Sequence, residues 1–191
     1  MENTTLLTYV IFGWLGIVLI ACTITDIRQK KIPNALTLTT IFAALLLHLS
    51  LNGWEGLMFS LQGLGLGFLF LLVPYSLGGI GAGDVKLTMA IGAVLGPINM
   101  LYIIVCIALA GGILTVSYML HRRVVKKTLY RIWMFIVFAL TQKDMSLLKY
   151  NKKEVLQEGI PFAMAISTGA FMYVGYTCLV VGEVAILHSV L

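Results

Sequence analysis

The sequence predicts an all-α polytopic membrane protein with six transmembrane helices and both termini on the extracytoplasmic side. Three observations predict it. Hydrophobic residues make up 60% of the 191 positions and charged residues only 11%, against roughly 45–50% and about 25% in soluble domains. Six apolar runs approach the roughly 20 residues that a spanning helix needs. All 13 Lys and Arg residues fall on one side when those runs are threaded through a bilayer, as the bias of cytoplasmic loops requires. A mean hydropathy of +0.99 agrees. A soluble globular domain, a disordered chain and a disulfide scaffold are excluded. The length holds one membrane domain, Met1 to Leu191, without space for a large soluble one.

The first run, Leu6 to Ile24, is not a signal peptide in form, because Met1 to Thr5 carries Glu2 and no basic residue. The second is Ala35 to Leu51 and the third Gly56 to Leu77. The fourth starts after Asp84 and ends at Leu95, where Gly96-Pro97 signals a turn. It is short, which predicts that part of it sits inside the bundle. The fifth is Ile98 to Leu120 and the sixth Phe162 to Leu187. Between these two, residues 121–159 form a basic loop. Its apolar piece, Tyr130 to Leu140, is too short to span and reads as an interfacial or re-entrant segment.

Arg28, Lys30 and Lys31 follow the first run, Lys86 the third, and the other nine cations the fifth. With six spans these share the cytoplasmic side, so the net charge of +5 is topological and does not imply nucleic acid. Headgroup contact is the expected role of Arg28, Lys30 and Lys31. Cys22, Cys106 and Cys178 are far apart, without a CxxC pair, and read as buried thiols. Gly63 with Gly67, and Ala108 with Gly112, have the spacing that lets helices pack closely. Pro33 and Asn34 suit a turn and a helix cap, and Pro161 suits the first turn of the last helix. His48, His121 and His188 form no ligand set or triad. The sequence calls for no metal and no cofactor.

Of the eight acids, five lie in loops and Glu183 near a helix end, where charged groups ordinarily reach water. Asp26 closes the first run, in Thr25-Asp26-Ile27-Arg28. Asp84 ends Gly81-Ala82-Gly83-Asp84. Two spans separate them, so both lie at the same membrane face. Local ion pairs, Asp26 with Arg28 or Lys30 and Asp84 with Lys86, are the plainer reading on spacing alone. The density of Gly78, Gly79, Gly81 and Gly83 argues for unusual backbone dihedrals or a close approach of another segment. Two carboxyls at short range share one proton, because both cannot ionise together. One then acts as general base on water and the other as general acid, the chemistry of aspartyl proteolysis.

The residues around these acids resemble the type IV prepilin peptidase family, the GxGD-type intramembrane aspartyl proteases. Gly81-Ala82-Gly83-Asp84 matches the motif, and Val85-Lys86-Leu87 continues it. Asp26-Ile27-Arg28 with Ile32-Pro33-Asn34 is similar to the first aspartate segment, and Ile160-Pro161-Phe162-Ala163 to the stretch before the last helix. The resemblance implies that Asp26 and Asp84 are the catalytic dyad. It also implies removal of a leader from prepilin-like substrates at the cytoplasmic face of the inner membrane. Gly81, Gly83, Lys86, Arg28, Pro33 and Asn34 are candidates for shaping the site or binding substrate. Bifunctional members carry an N-terminal region with paired CxxC motifs and also N-methylate the product. This sequence lacks those cysteines and resembles the short, peptidase-only form of the tight-adherence (Flp) branch. Two other readings compete: a small transporter or channel using the same acids as proton or cation sites, and an inactive scaffold of a secretion machine.

Overall fold

The computed structural model describes residues 2–76, 80–121 and 162–177. They form helices, with no strand among them: α1 Glu2–Gln29, α2 Asn34–Ser76, α3 Ala82–His121 and α4 Phe162–Tyr176. Three stretches, Val10–Gln29, Asn34–Ser76 and Ala82–Ser117, are long and apolar enough to cross a membrane, and α4 is a shorter apolar helix. The basic segment after His121, with Tyr130 to Leu140, lies outside the described residues. So do Gly78, Gly79, Pro161 and the chain from Cys178 onward, which includes Glu183.

α2 and α3 are each broken by a glycine. Gly53 takes φ 59°, ψ −136°, and Gly96 takes φ 78°, ψ 178°. Residues with a Cβ avoid both conformations. At Gly53 the chain reverses, because the rings of His48 and Phe59 lie 5.3 Å apart. In a straight helix, 11 residues would separate them by about 16 Å along the axis. At Gly96 it reverses again. Asp84 shares a cleft with Asp26, Asp26 meets Ala163, and Gly111 lies beside Phe162 and Ala165. Positions 84 and 111 therefore sit at one end, where a straight helix would part them by about 40 Å. Both breaks fall at the expected turns.

The limb 82–95 is the centre of the molecule. Leu87, Ala90, Ile91 and Ala93 are fully buried, and Val85, Val94 and Leu95 nearly so. A short helix apolar on all sides is stable only when surrounded, as the short fourth run predicted. Residues 54–76 pack against it with close backbone contact. A Cβ on Gly63 would overlap the Gly92 carbonyl, and one on Gly67 the Thr88 carbonyl. The second small-residue pair behaves otherwise. Ala108 and Gly112 are exposed among the described residues, and nothing lies within 4 Å of a Cβ placed on Gly112. The neighbouring face meets α4, where a Cβ on Gly169 would come 2.7 Å from Ile107 Cα. Outside, Val10 and Ile113 are each 70% exposed. So apolar an exterior suits a lipid surrounding, not water.

The second break leaves helical carbonyls without N–H partners, and Pro97 has no N–H to offer. Side chains replace them. Ser60 Oγ donates to Ala93 O at 2.7 Å. His48 Nε2 donates to Val94 O at 3.1 Å. Asn99 Nδ2 donates to Leu95 O at 2.7 Å, and Tyr173 donates to Asn99 Oδ1 at 2.7 Å. Irregular backbone inside a membrane protein persists only where protein groups satisfy it. His48 thus has a structural role at the end remote from the two aspartates.

Candidate active site

α3 begins with Gly81 preceding Ala82, and Asp84 is its third residue. From that position the side chain reaches back: Gly81 N–H donates to Asp84 Oδ2 at 3.2 Å. This is one half of a capping box, with the carboxylate at the positive helix end. The motif thus explains itself locally. Asp84 is buried, 8% exposed, and its other oxygen, Oδ1, has no hydrogen-bond partner. A buried carboxylate oxygen left without a partner costs about 1–3 kcal/mol.

Asp26 lies in the last turn of α1 and is half-buried. Its Oδ2 accepts the N–H of Ala163, in the first turn of α4, at 3.3 Å. α1 ends where Lys30 enters the left-handed region at φ 50°, its N–H bonded to Asp26 O at 2.8 Å. A non-glycine residue there costs about 1–2 kcal/mol. The turn swings residues 30–33 back over the start of α3, where Ile32 packs on Gly83. A Cβ on Gly83 would stand 2.9 Å from Ile32 Cβ, so only glycine fits. Of the two needs the glycines suggested, close approach is the one met at Gly83, and neither Gly81 nor Gly83 takes a positive φ.

Asp26 and Asp84 line one open cleft of about 350 Å³, with Lys30, Lys31, Ile32 and Asn34 on one wall and Gly81, Ala82 and Gly83 on the other. The structure brings the two acids together across residues 26 and 84, as their shared face required. Other expectations change. Lys86 does not pair with Asp84; its ammonium donates to Asn34 Oδ1 at 2.9 Å. Asn34 therefore ties α2 to α3 rather than capping its own helix, and Pro33 O receives the Thr37 N–H at 3.5 Å. Arg28 is exposed and, like Pro33, does not line the cleft. Lys30 and Lys31 do, although the sequence pointed them to lipid headgroups. Sequence reasoning also missed Ala163 as a partner of Asp26, because a backbone donor leaves no residue-type signal. Among the described residues no group of His, Cys, Asp and Glu could hold a metal ion.

Two carboxyls that line one open cleft with Lys30 and Lys31 can act together as proton donor and proton acceptor toward a molecule held there. A family model for the type IV leader peptidase family matches residues 13–116, spanning both aspartates. No curated protein and no solved structure matches the chain.

Proposed function

We propose, from the premise that the chain belongs to the type IV leader peptidase family, that it cleaves leaders by a two-aspartate mechanism. The observation that carries this reading is the shared cleft of Asp26 and Asp84. One carboxylate takes a proton from water, whose oxygen attacks the scissile carbonyl carbon. The protonated partner gives its proton to the carbonyl oxygen. The carboxyl that took water's proton then passes it to the leaving nitrogen as the C–N bond breaks, and a hydroxyl of the adduct returns its proton to the other carboxylate as the new carboxyl forms, so the dyad again holds one proton. Asp84, with one oxygen anchored to Gly81 and the other unpartnered, keeps a free oxygen for that exchange.

The substrates are prepilin-like membrane proteins, cut where a leader meets the apolar helix at the cytoplasmic face. Six spans, both termini outside the cytoplasm and a place in the inner membrane complete the proposal. Support for this orientation comes from the 13 cations sharing one side. The three cysteines lack CxxC spacing, which supports cleavage without N-methylation. A transporter reading asks for acids near the midplane on broken helices. Here the helix breaks lie at Gly53 and Gly96, at the end opposite the acids, which favours the peptidase.

The test is co-expression with prepilin-like proteins of the same genome, using wild type, Asp26→Asn and Asp84→Asn. Leader loss is read by gel shift and N-terminal sequencing. Cleavage by wild type and by neither mutant, at matched expression, is the expected outcome. Normal cleavage by either mutant removes the dyad.

A further inference from the structure

We infer that the contact between α1 and α4 is a positioning device for Asp26, with Thr23 and Ser167 as its positioning residues. The inference rests on the dyad reading above and extends it to a helix outside the matched residues 13–116.

The two helices run antiparallel, and their contacts recur one turn apart. Asp26 Oδ2 takes the Ala163 N–H at 3.3 Å. Thr23 Oγ1 and Ser167 Oγ lie 2.6 Å apart. Ser167 Oγ also lies 3.3 Å from Leu19 O, and a Cβ on Gly16 would stand 3.8 Å from Phe171. Leu19 O lies within reach of both hydroxyls, 2.8 Å from Thr23 Oγ1, so one hydroxyl donates to the other and the second donates to this carbonyl. Ser167 is 5% exposed and Ala163 fully buried, so water does not compete for either.

In lipid the hydrophobic effect does not draw helices together, since tails and side chains are equally apolar, so register is set by close packing and polar contacts. Between α1 and α4 the hydroxyl pair is such a contact. It lies one turn from Asp26 on α1 and one turn from Ala163 on α4. A slip of α4 by one residue moves its backbone by about 1.5 Å and takes the N–H away from the carboxylate. The opposite face of α4 is set against α3, where Gly169 abuts Ile107 and Phe162 lies 3.4 Å from a Cβ on Gly111. α4 is thus fixed on both sides, and its first turn presents a donor to one oxygen of Asp26. Holding that oxygen restricts rotation of the carboxyl and aims it at the cleft. Misplacing a reacting group by about 1 Å costs on the order of 10²-fold in rate.

The experiment uses the full-length protein in detergent with a purified prepilin-like protein from the same genome. kcat and KM are measured for wild type, Thr23→Val, Ser167→Ala, their double variant, Thr23→Ser and Ala163→Pro. Proline removes the N–H and is tolerated in a first helical turn. Expected for Thr23→Val and Ser167→Ala is a fall in kcat of about tenfold or more with KM within about twofold. The double variant should be no worse than the poorer single one. Thr23→Ser restores kcat, and Ala163→Pro loses it. Should Thr23→Val not fold, Thr23→Ala, which adds no bulk, gives the same readout. Unchanged kcat in folded Thr23→Val and Ser167→Ala overturns the inference, as does a change confined to KM. Wild type that cleaves no prepilin-like protein overturns the peptidase reading and this inference with it.

Discussion

Replacing Gly83 by alanine tests the packing that closes the cleft. The new methyl would stand 2.9 Å from Ile32 Cβ, 3.3 Å from its Cγ1 and 3.4 Å from its Cδ1. Carbon atoms in contact prefer about 3.5–4.0 Å, so the Cβ pair is short by more than half an ångström. Neither atom is the end of a flexible chain that could swing aside. The loop 30–33 must therefore retreat from α3, and it carries Lys30, Lys31 and Ile32 of the cleft wall. Overpacking of this kind costs about 1–3 kcal/mol. Displacement of the wall by about 1 Å would slow cleavage by up to about 10²-fold. The assay is leader removal from a purified prepilin-like protein, with melting temperature measured in parallel. Gly83→Ala should lose stability and at least about tenfold in kcat. Adding Ile32→Ala removes the Cγ1 and Cδ1 contacts but not the Cβ contact, so it should restore part of both. Wild-type stability and kcat in Gly83→Ala alone would refute the reasoning.

Ser60→Ala strips the donor from the buried Ala93 carbonyl and should cost about 1–3 kcal/mol, read as a lower melting temperature with kcat unchanged, since the break lies far from the cleft. Gly63→Leu should prevent folding, because even a Cβ there overlaps the Gly92 carbonyl, whereas Gly112→Leu should fold, because no described residue lies within 4 Å of its Cβ; detergent-soluble yield distinguishes them. Lys86→Met removes the bond to Asn34, which is exposed to solvent. It should change stability by about 1 kcal/mol or less and kcat by a few-fold at most, in thermal melts and cleavage rates.

Chain-local features of this protein are legible in its sequence. Composition and apolar runs predict helices, because each segment in lipid must satisfy its own backbone. Turns at Gly53 and Gly96, the buried short run ending at Leu95, and the shared face of Asp26 and Asp84 follow from run length and punctuation. The capping of α3 by Asp84 is local too, since Gly81 is three residues away. Pairings between distant segments were decided by tertiary structure alone. Small-residue spacing occurs both at Gly63 and Gly67, which meet the central limb, and at Ala108 and Gly112, which no described residue covers. Spacing states that a face is smooth and not that another helix lies against it. Asn34 looked like a cap until folding brought Lys86 to it across 52 positions. The Ala163 donor on Asp26 is a backbone group, and every residue but proline carries one. Its significance comes only from where α4 is set down, and that depends on hydroxyl contacts and glycine clearances that no single segment contains.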